Sequence, residues 1–322
     1  LPANDNGDGN GGAADDEPWI VLGAHYDHLG RGNHGNSLAG KETSGDVHHG
    51  ADDNASGTAA LLAAGARLAA EPHRRNVVLA FWSGEELGLL GSSDFVDDGV
   101  LPTDAVAAYL NFDMVGRLRD NALTLQAVGS SPAWRPLIER ANVPAGFDLT
   151  LQDDPYLPTD SASFNRIEVP TLAFFTGSHE DYHRPSDTAD KLDYEGIERI
   201  AHFAASIAGR LADADAPPEF VAVERTRDGG DRDTLRAYTG TIPDYATEIE
   251  GLRLSGVIGG GPADEAGLRE GDVIVEFGGQ TIANIYDYTY ALDAVKIDQP
   301  VKVVVQREGE RIELELTPRA RE

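Results

Sequence analysis

The chain has no cysteine, one methionine, and 26 lysines and arginines against 55 aspartates and glutamates. Without cysteine, thiol catalysis, disulfides and cysteine-ligated metals are excluded, and the redox compartment stays open. The shortage of cations leaves a formal net charge of -29. Such a field repels nucleic acid and anionic membrane surfaces. No apolar run is long enough to span a bilayer, so no membrane insertion is expected. An initiator methionine and a signal-peptide pattern are also missing. The opening LPANDNGDGN reads as the tail of a strand entering a loop, so the expectation is a processed or trimmed chain, secreted or periplasmic. Asp outnumbers Glu 33 to 22 and Arg outnumbers Lys 22 to 4. Salt adaptation and a GC-rich genome both produce that balance.

What is present is enough chain, 322 residues, for two domains and a substantial core. Short apolar runs at 17–27, 76–84, 105–116 and 169–177 read as buried strands. Helical spacing marks 54–72, 86–96, 131–141 and the long amphipathic stretch 193–214. Strands alternating with helices predict an α/β sandwich around a mixed, mostly parallel sheet, in which ligands collect at the carboxyl ends of strands. The acidic, proline-containing DADAPPEF (213–220) reads as a linker. Beyond it, short strands with glycine turns predict a small β-rich module. The expected domains are 1–216 and 217–322.

Polar residues gather where the strands end. AHYDH puts His25 and Asp27 after the first strand, and GADDNASG puts Asp52 and Asp53 at the mouth of the next helix. FWSGEELGLLGS sets Glu85 and Glu86 side by side, NFDMVG carries Asp113, and HEDYHRPSD carries Tyr182 and His183. Each has a plain structural reading: a hydrogen-bonded histidine, a helix cap, an exposed helix start. Together they bring imidazole and carboxylate, without thiolate, from five segments to one sheet edge. That donor set suits zinc or a similar divalent ion. Two ions about 3.5–4 Å apart need one bridging carboxylate and two further ligands each, five in all, leaving one glutamate spare.

In combination, GAHYDH, GADDNASG, SGEELGLLGS, NFDMVG and HEDYHRPSD resemble the zinc-dependent aminopeptidases of the bacterial leucyl-aminopeptidase and aminopeptidase Y type, over most of 17–212. The resemblance implies two Zn2+ ions bridged by Asp53. His25 and Asp113 would complete one ion, and Glu86 and His183 the other. It further implies that Asp27 orients His25, and that the Asp53–Asn54 peptide is cis. Neighbouring side chains leave an extended backbone in different directions, so Glu86 can face metal while Glu85 serves as general base toward water. Tyr182 matches a position that hydrogen-bonds the oxyanion, a packed aromatic being the other reading. Asp52 reads as a neighbour rather than a ligand. His48 and His49 read as lining the entrance; His28, His34, His73 and His202 read as surface or packing residues. A carboxypeptidase or dipeptidase of the same fold, or an inactive scaffold carrying a binding module, are the alternatives. Arg117 and Arg184 are the cations at the motif margins on which a carboxypeptidase would depend.

Two further stretches carry signals. NDNGDGNGGAAD spaces Asn4, Asn6, Asp8, Gly9 and Asp15 like a calcium loop, but it lacks flanking helices and the terminal glutamate, and a flexible acidic loop is the better reading. Residues 221–320, with GPADEAGLREGDVI, resemble a PDZ domain of bacterial protease-associated type. That implies a peptide carboxyl terminus as partner, held by the loop YTGTIP (238–243) facing a helix near 285–295; a structural appendage is the other reading. Thr239 and Thr241 make this loop more polar than the family's.

Overall fold

A computed structural model of the chain describes residues 17–32, 37, 39, 43, 45–102, 105–177, 179–223, 237–243, 249, 251–282, 287–288, 291–292 and 295–320. The calcium-loop stretch 4–15 and His34 lie outside them. The chain divides into two compact units, 1–177 with 181–223, and 178–180 with 224–322.

The first unit is built on strands β1 (Trp19–His25), β2 (Val77–Trp82), β3 (Val106–Phe112), β4 (Ala122–Gln126), β5 (Asp148–Leu151) and β6 (Thr171–Phe175). They lie in the order β2-β1-β3-β6-β4-β5. All pairings are parallel except β4 with β6. Among the described residues, five α-helices flank the sheet: α1 (Gly57–Leu68), α2 (Leu90–Asp97), α3 (Trp134–Ala145), α4 (Ser161–Arg166) and α5 (Tyr194–Ala212). Alternation along β1 shows the sandwich. Ile20 and Leu22 join a core with α1, α3 and α5, while Val21 joins Val96 of α2 and Phe164 of α4 on the other face. Both faces are covered, which is why the strand sequences read as unbroken apolar runs.

The expected strands are all present, and β4, β5 and α4 join them. Those three have only five, four and six residues, too few for a periodicity to show. The helix expected over 86–96 begins only at Leu90. Glu85–Leu87 forms a single tight turn instead, between Gly84 at φ +75° and Gly88 at φ +110°. The two glutamates therefore leave a turn and not an extended strand.

Gly23, in the middle of β1, is held to glycine by close approach. A Cβ there would overlap the Tyr109 hydroxyl and the Trp82 indole nitrogen. Those groups form a buried relay: Trp82 Nε1 donates to Tyr109 Oη at 2.9 Å, and that hydroxyl donates to Asn111 Oδ1 at 2.7 Å. Gly23→Ala is expected to destabilise the first unit by about 1–3 kcal/mol through overpacking. An unchanged urea midpoint would show that the relay moves aside freely.

In the second unit, strands β7 (Ala237–Tyr238), β8 (Thr241–Pro243), β9 (Leu252–Val257), β10 (Val273–Phe277), β11 (Gln280–Thr281), β12 (Val301–Arg307), β13 (Glu310–Leu316) and β14 (Arg319–Ala320) surround a short helix α6 (Pro262–Glu265). The main sheet runs β13-β12-β10-β9-β8, antiparallel throughout. Leu254, Leu268, Ile274, Phe277, Val303 and Val305 fill its core. The 238–243 loop does face Tyr288: its hydroxyl lies 3.0 Å from both Thr239 Oγ1 and Thr241 Oγ1. Half of the helix expected near 285–295 falls outside the described residues.

Candidate metal centre

The parallel strands at the centre of the first unit end along one edge, and the polar motifs meet there. His25 closes β1, Glu85 and Glu86 follow β2, and Asp113 follows β3. His183 arrives on the loop after β6, with its own backbone in the left-handed region at φ +52°. Asp53 comes from the irregular turn 51–56 that leads into α1, and its peptide bond to Asn54 is cis. Asn54 ties that turn to the end of β3. Its amide donates to Phe112 O at 2.9 Å, and its Oδ1 accepts from Gly57 and Met114 at 3.0 and 3.2 Å. A side chain at Gly57 would collide with Asn54 Oδ1 and Phe112 O, so GADDNASG needs its last glycine.

Two groups of donor atoms share Asp53. In the first, His25 Nε2 lies 3.4 Å from Asp53 Oδ1 and 3.5 Å from Asp113 Oδ1. In the second, His183 Nε2 lies 3.2 Å from both Asp53 Oδ2 and Glu86 Oε2. Ligands about 2.1 Å from one zinc ion at the tetrahedral angle lie about 3.4 Å apart, so both groups have the spacing of a ligand set. His28 also reaches the second group, with Nδ1 2.8 Å from Glu86 Oε1 and 3.8 Å from Asp53 Oδ2. The first distance is that of a hydrogen bond and is short for two ligands of one ion.

The electrostatics point the same way. Burial alone would depress the His25 imidazole, but Asp113, Asp27 and Asp53 outweigh it and raise its pKa well above the usual value. His183 is raised to about 10, because Asp53 and Glu86 overcome its burial. Asp53, though buried, is held well below the carboxylate range by His183 and His25. Burial pushes Glu85 well above the ordinary glutamate value; His25 opposes, while Asp113, Asp160 and Glu86 add to the rise. Two imidazoles raised by surrounding carboxylates mark a pocket in which negative charge is in excess, which a divalent cation would neutralise.

The other expected residues sit around these groups. Asp27 accepts from His25 Nδ1 through its main-chain carbonyl at 3.1 Å, while its carboxylate lies 3.7 Å from that nitrogen. The same carboxylate accepts the Glu85 main-chain N–H at 3.3 Å, joining the first and third motifs. Tyr182 stacks on His183 with ring centroids 3.8 Å apart. Asp52 is fully buried and accepts from Gly116 N at 2.6 Å and Ser56 Oγ at 2.9 Å, an anchor of the turn.

Residues 7–208 match the description of peptidase family M28. The chain belongs to peptidase family M28. Residues 253–307 match a PDZ domain, which forms the second unit. The chain is 31% identical over 219 residues to the probable lipoprotein aminopeptidase LpqL of Mycobacterium tuberculosis, covering 55% of this chain and 43% of that one. Its PDZ segment is 38% identical over 71 residues to a probable periplasmic DegP-like serine endoprotease of a Marinomonas species, covering 22% of this chain and 15% of that protein. In fold it resembles BSAP, a zinc aminopeptidase from Bacillus subtilis, at a TM-score of 0.51 and 21% identity over 64% of this chain and 50% of that one. The chain thus spans less than half the length of LpqL.

Several residues of this M28 unit escaped the sequence reading. His28, expected at the surface or in packing, instead has its ring against the second donor group, 2.8 Å from Glu86 Oε1. Asp187, in the quoted HEDYHRPSD, is fully buried and accepts the main-chain N–H groups of Asp52 and Asp53 at 2.8 and 3.1 Å. Its other oxygen accepts from Arg117 at 2.9 Å, and Arg117 also bonds Asp181 at 3.2 Å. Arg117 is therefore committed to two carboxylates within the fold. No element was assigned over 152–168, so Asp160 had no context. It precedes α4, is 1% exposed, and neither carboxylate oxygen has a hydrogen-bond partner among the described residues.

Burial lifts Asp160 from 3.8 to about 7, with Ser92 and His25 pulling it down and Asp113 and Asp27 pushing it up. The folded chain therefore holds a proton that the unfolded chain releases near pH 4. Stability is fully present below pH 4, falls as pH rises, and the loss is complete above pH 7. Asp160→Asn, which cannot ionise, is expected to match the parent at pH 4. At pH 8 it should be more stable by on the order of 2–4 kcal/mol, at about 1.4 kcal/mol per pK unit. Denaturant titration of metal-free protein at the two pH values measures this, and equal midpoints at pH 8 would refute it.

Proposed function

We propose that this chain removes the N-terminal residue of peptides with two zinc ions, one held by His25, Asp53 and Asp113 and the other by Asp53, Glu86 and His183. The observation that carries this reading is the pair of donor groups sharing Asp53, each oxygen turned to a different imidazole, with Glu85 beside them in neither. Zinc bound there would acidify water and polarise the scissile carbonyl. Glu85 takes a proton from the attacking water and gives it to the leaving amine. Asp27 steadies both His25 and the Glu85 backbone, and the Tyr182 hydroxyl donates to the carbonyl oxygen as charge develops on it.

The excess of carboxylate favours a free ammonium on the residue cleaved. A carboxypeptidase needs a cation for the terminal carboxylate, usually a forked arginine. Arg117 is taken by Asp181 and Asp187, which leaves Arg184 as the residue that would support that alternative. Acetylating a peptide's N-terminus is expected to abolish cleavage, while amidating its C-terminus changes little. Cleavage of the acetylated peptide with resistance of the amidated one would make this a carboxypeptidase dependent on Arg184.

We assign the chemistry to residues 1–216 and peptide docking to 217–322. An extended peptide adds a strand at a sheet edge, and β8 is the outermost described strand of its sheet. No helix among the described residues is long and apolar enough to cross a membrane. LpqL's description as a lipoprotein supports work outside the cytoplasm.

A further inference from the structure

We infer that His28 is a positioning residue for the second ion: its imidazole pins one oxygen of Glu86 so that the other is presented to the site. The inference rests on the ligand set proposed above. Glu86 uses its two oxygens differently. Oε1 accepts from His28 Nδ1 at 2.8 Å, and Oε2 faces His183 Nε2 at 3.2 Å. A carboxylate tied at one oxygen cannot swing away or turn both oxygens to one ion, so its lone pairs are aimed before the metal arrives.

The surroundings of His28 fit that role. Its side chain is only 9% exposed. Its edge meets the His183 ring, centroids 5.8 Å apart at 72°, so it props the second imidazole as well. A Cβ at Gly50 would fall 2.6 Å from His28 Cγ, so the glycine that opens the Asp53 turn also makes room for the ring. Its Nε2 is buried, with no hydrogen-bond partner among the described residues, so Glu86 is the acceptor that fixes the ring. The segment 25–28 thus serves both donor groups, His25 in the first and His28 behind the second.

The test is an equilibrium zinc titration of the full chain against a chromophoric chelator, resolving two binding steps. His28→Ala is expected to weaken one step by about 10–100-fold and leave the other unchanged. His28→Asn, whose amide N–H can stand where Nδ1–H stood, should restore most of the affinity. His28→Gln, which reaches toward the Nε2 position, should not. Two unchanged steps in His28→Ala, or equal weakening of both, would overturn the inference while leaving the ligand set intact. If the alanine variant does not fold, the Asn and Gln pair decides, and equal affinities overturn it. Wild-type protein that takes up no zinc would overturn the ligand set and this inference together.

Discussion

Glu85→Gln is expected to cut turnover by about 10²–10⁴-fold while fold and zinc content stay as in the parent. The amide keeps the shape of the glutamate but cannot accept a proton from water. Nothing in the scaffold should suffer. Burial, Asp113, Asp160 and Glu86 already push the Glu85 carboxyl toward its neutral form, so removing the charge relieves a cost. The Glu85 contact with Asp27 runs through its main-chain N–H and survives the change. Rates on a panel of aminoacyl anilides, with zinc measured on the same samples, separate the two effects. A variant near the parent rate would remove Glu85 from the proton path. A variant slow only because it has lost zinc would make it a ligand.

Asp53→Asn is expected to lose both ions and all measurable activity. Its two oxygens lie against different imidazoles, at 3.4 Å from His25 and 3.2 Å from His183. An amide offers one neutral oxygen to one side and an N–H donor to the other. Asp113→Asn, which touches only the first group, should lose only one ion. Metal analysis after dialysis, at a zinc concentration that saturates the parent, should read near zero for Asp53→Asn and near one for Asp113→Asn. The turn itself should hold, because Asp187 grips the main-chain N–H of residues 52 and 53 and not their side chains. An Asp53→Asn protein still holding two ions would end the bridging assignment.

These expectations use residues that were legible from the chain alone, because their signal is local. An apolar run of six or seven residues declares a buried strand. A histidine or carboxylate just past it stands at the sheet edge whatever the neighbouring strands are. Hence the α/β class and the gathering of His25, Asp53, Glu86, Asp113 and His183 at one sheet edge followed from motif and periodicity, whereas the PDZ module and the choice of these five as ligands rested on family resemblance. The edge elements β4, β5 and α4 were too short for either. The setting of Glu85 and Glu86, a tight turn between two left-handed glycines, was also beyond a pattern that reads equally as a helix start.

What only the tertiary structure decided is which distant groups face each other. His28 and Glu86 are 58 residues apart and meet because β1 pairs with β2. Arg117 lies 70 residues from Asp187, and its charge looked free until the fold closed the pair. Asp160 carries no signal in the sequence, and its pKa near 7 exists only because the fold buries it and brings the remote carboxylates Asp113 and Asp27 to bear on it. Periodicity reports which face of an element is apolar, whereas hydrogen bonds and electrostatic fields depend on distances between elements, and packing sets those.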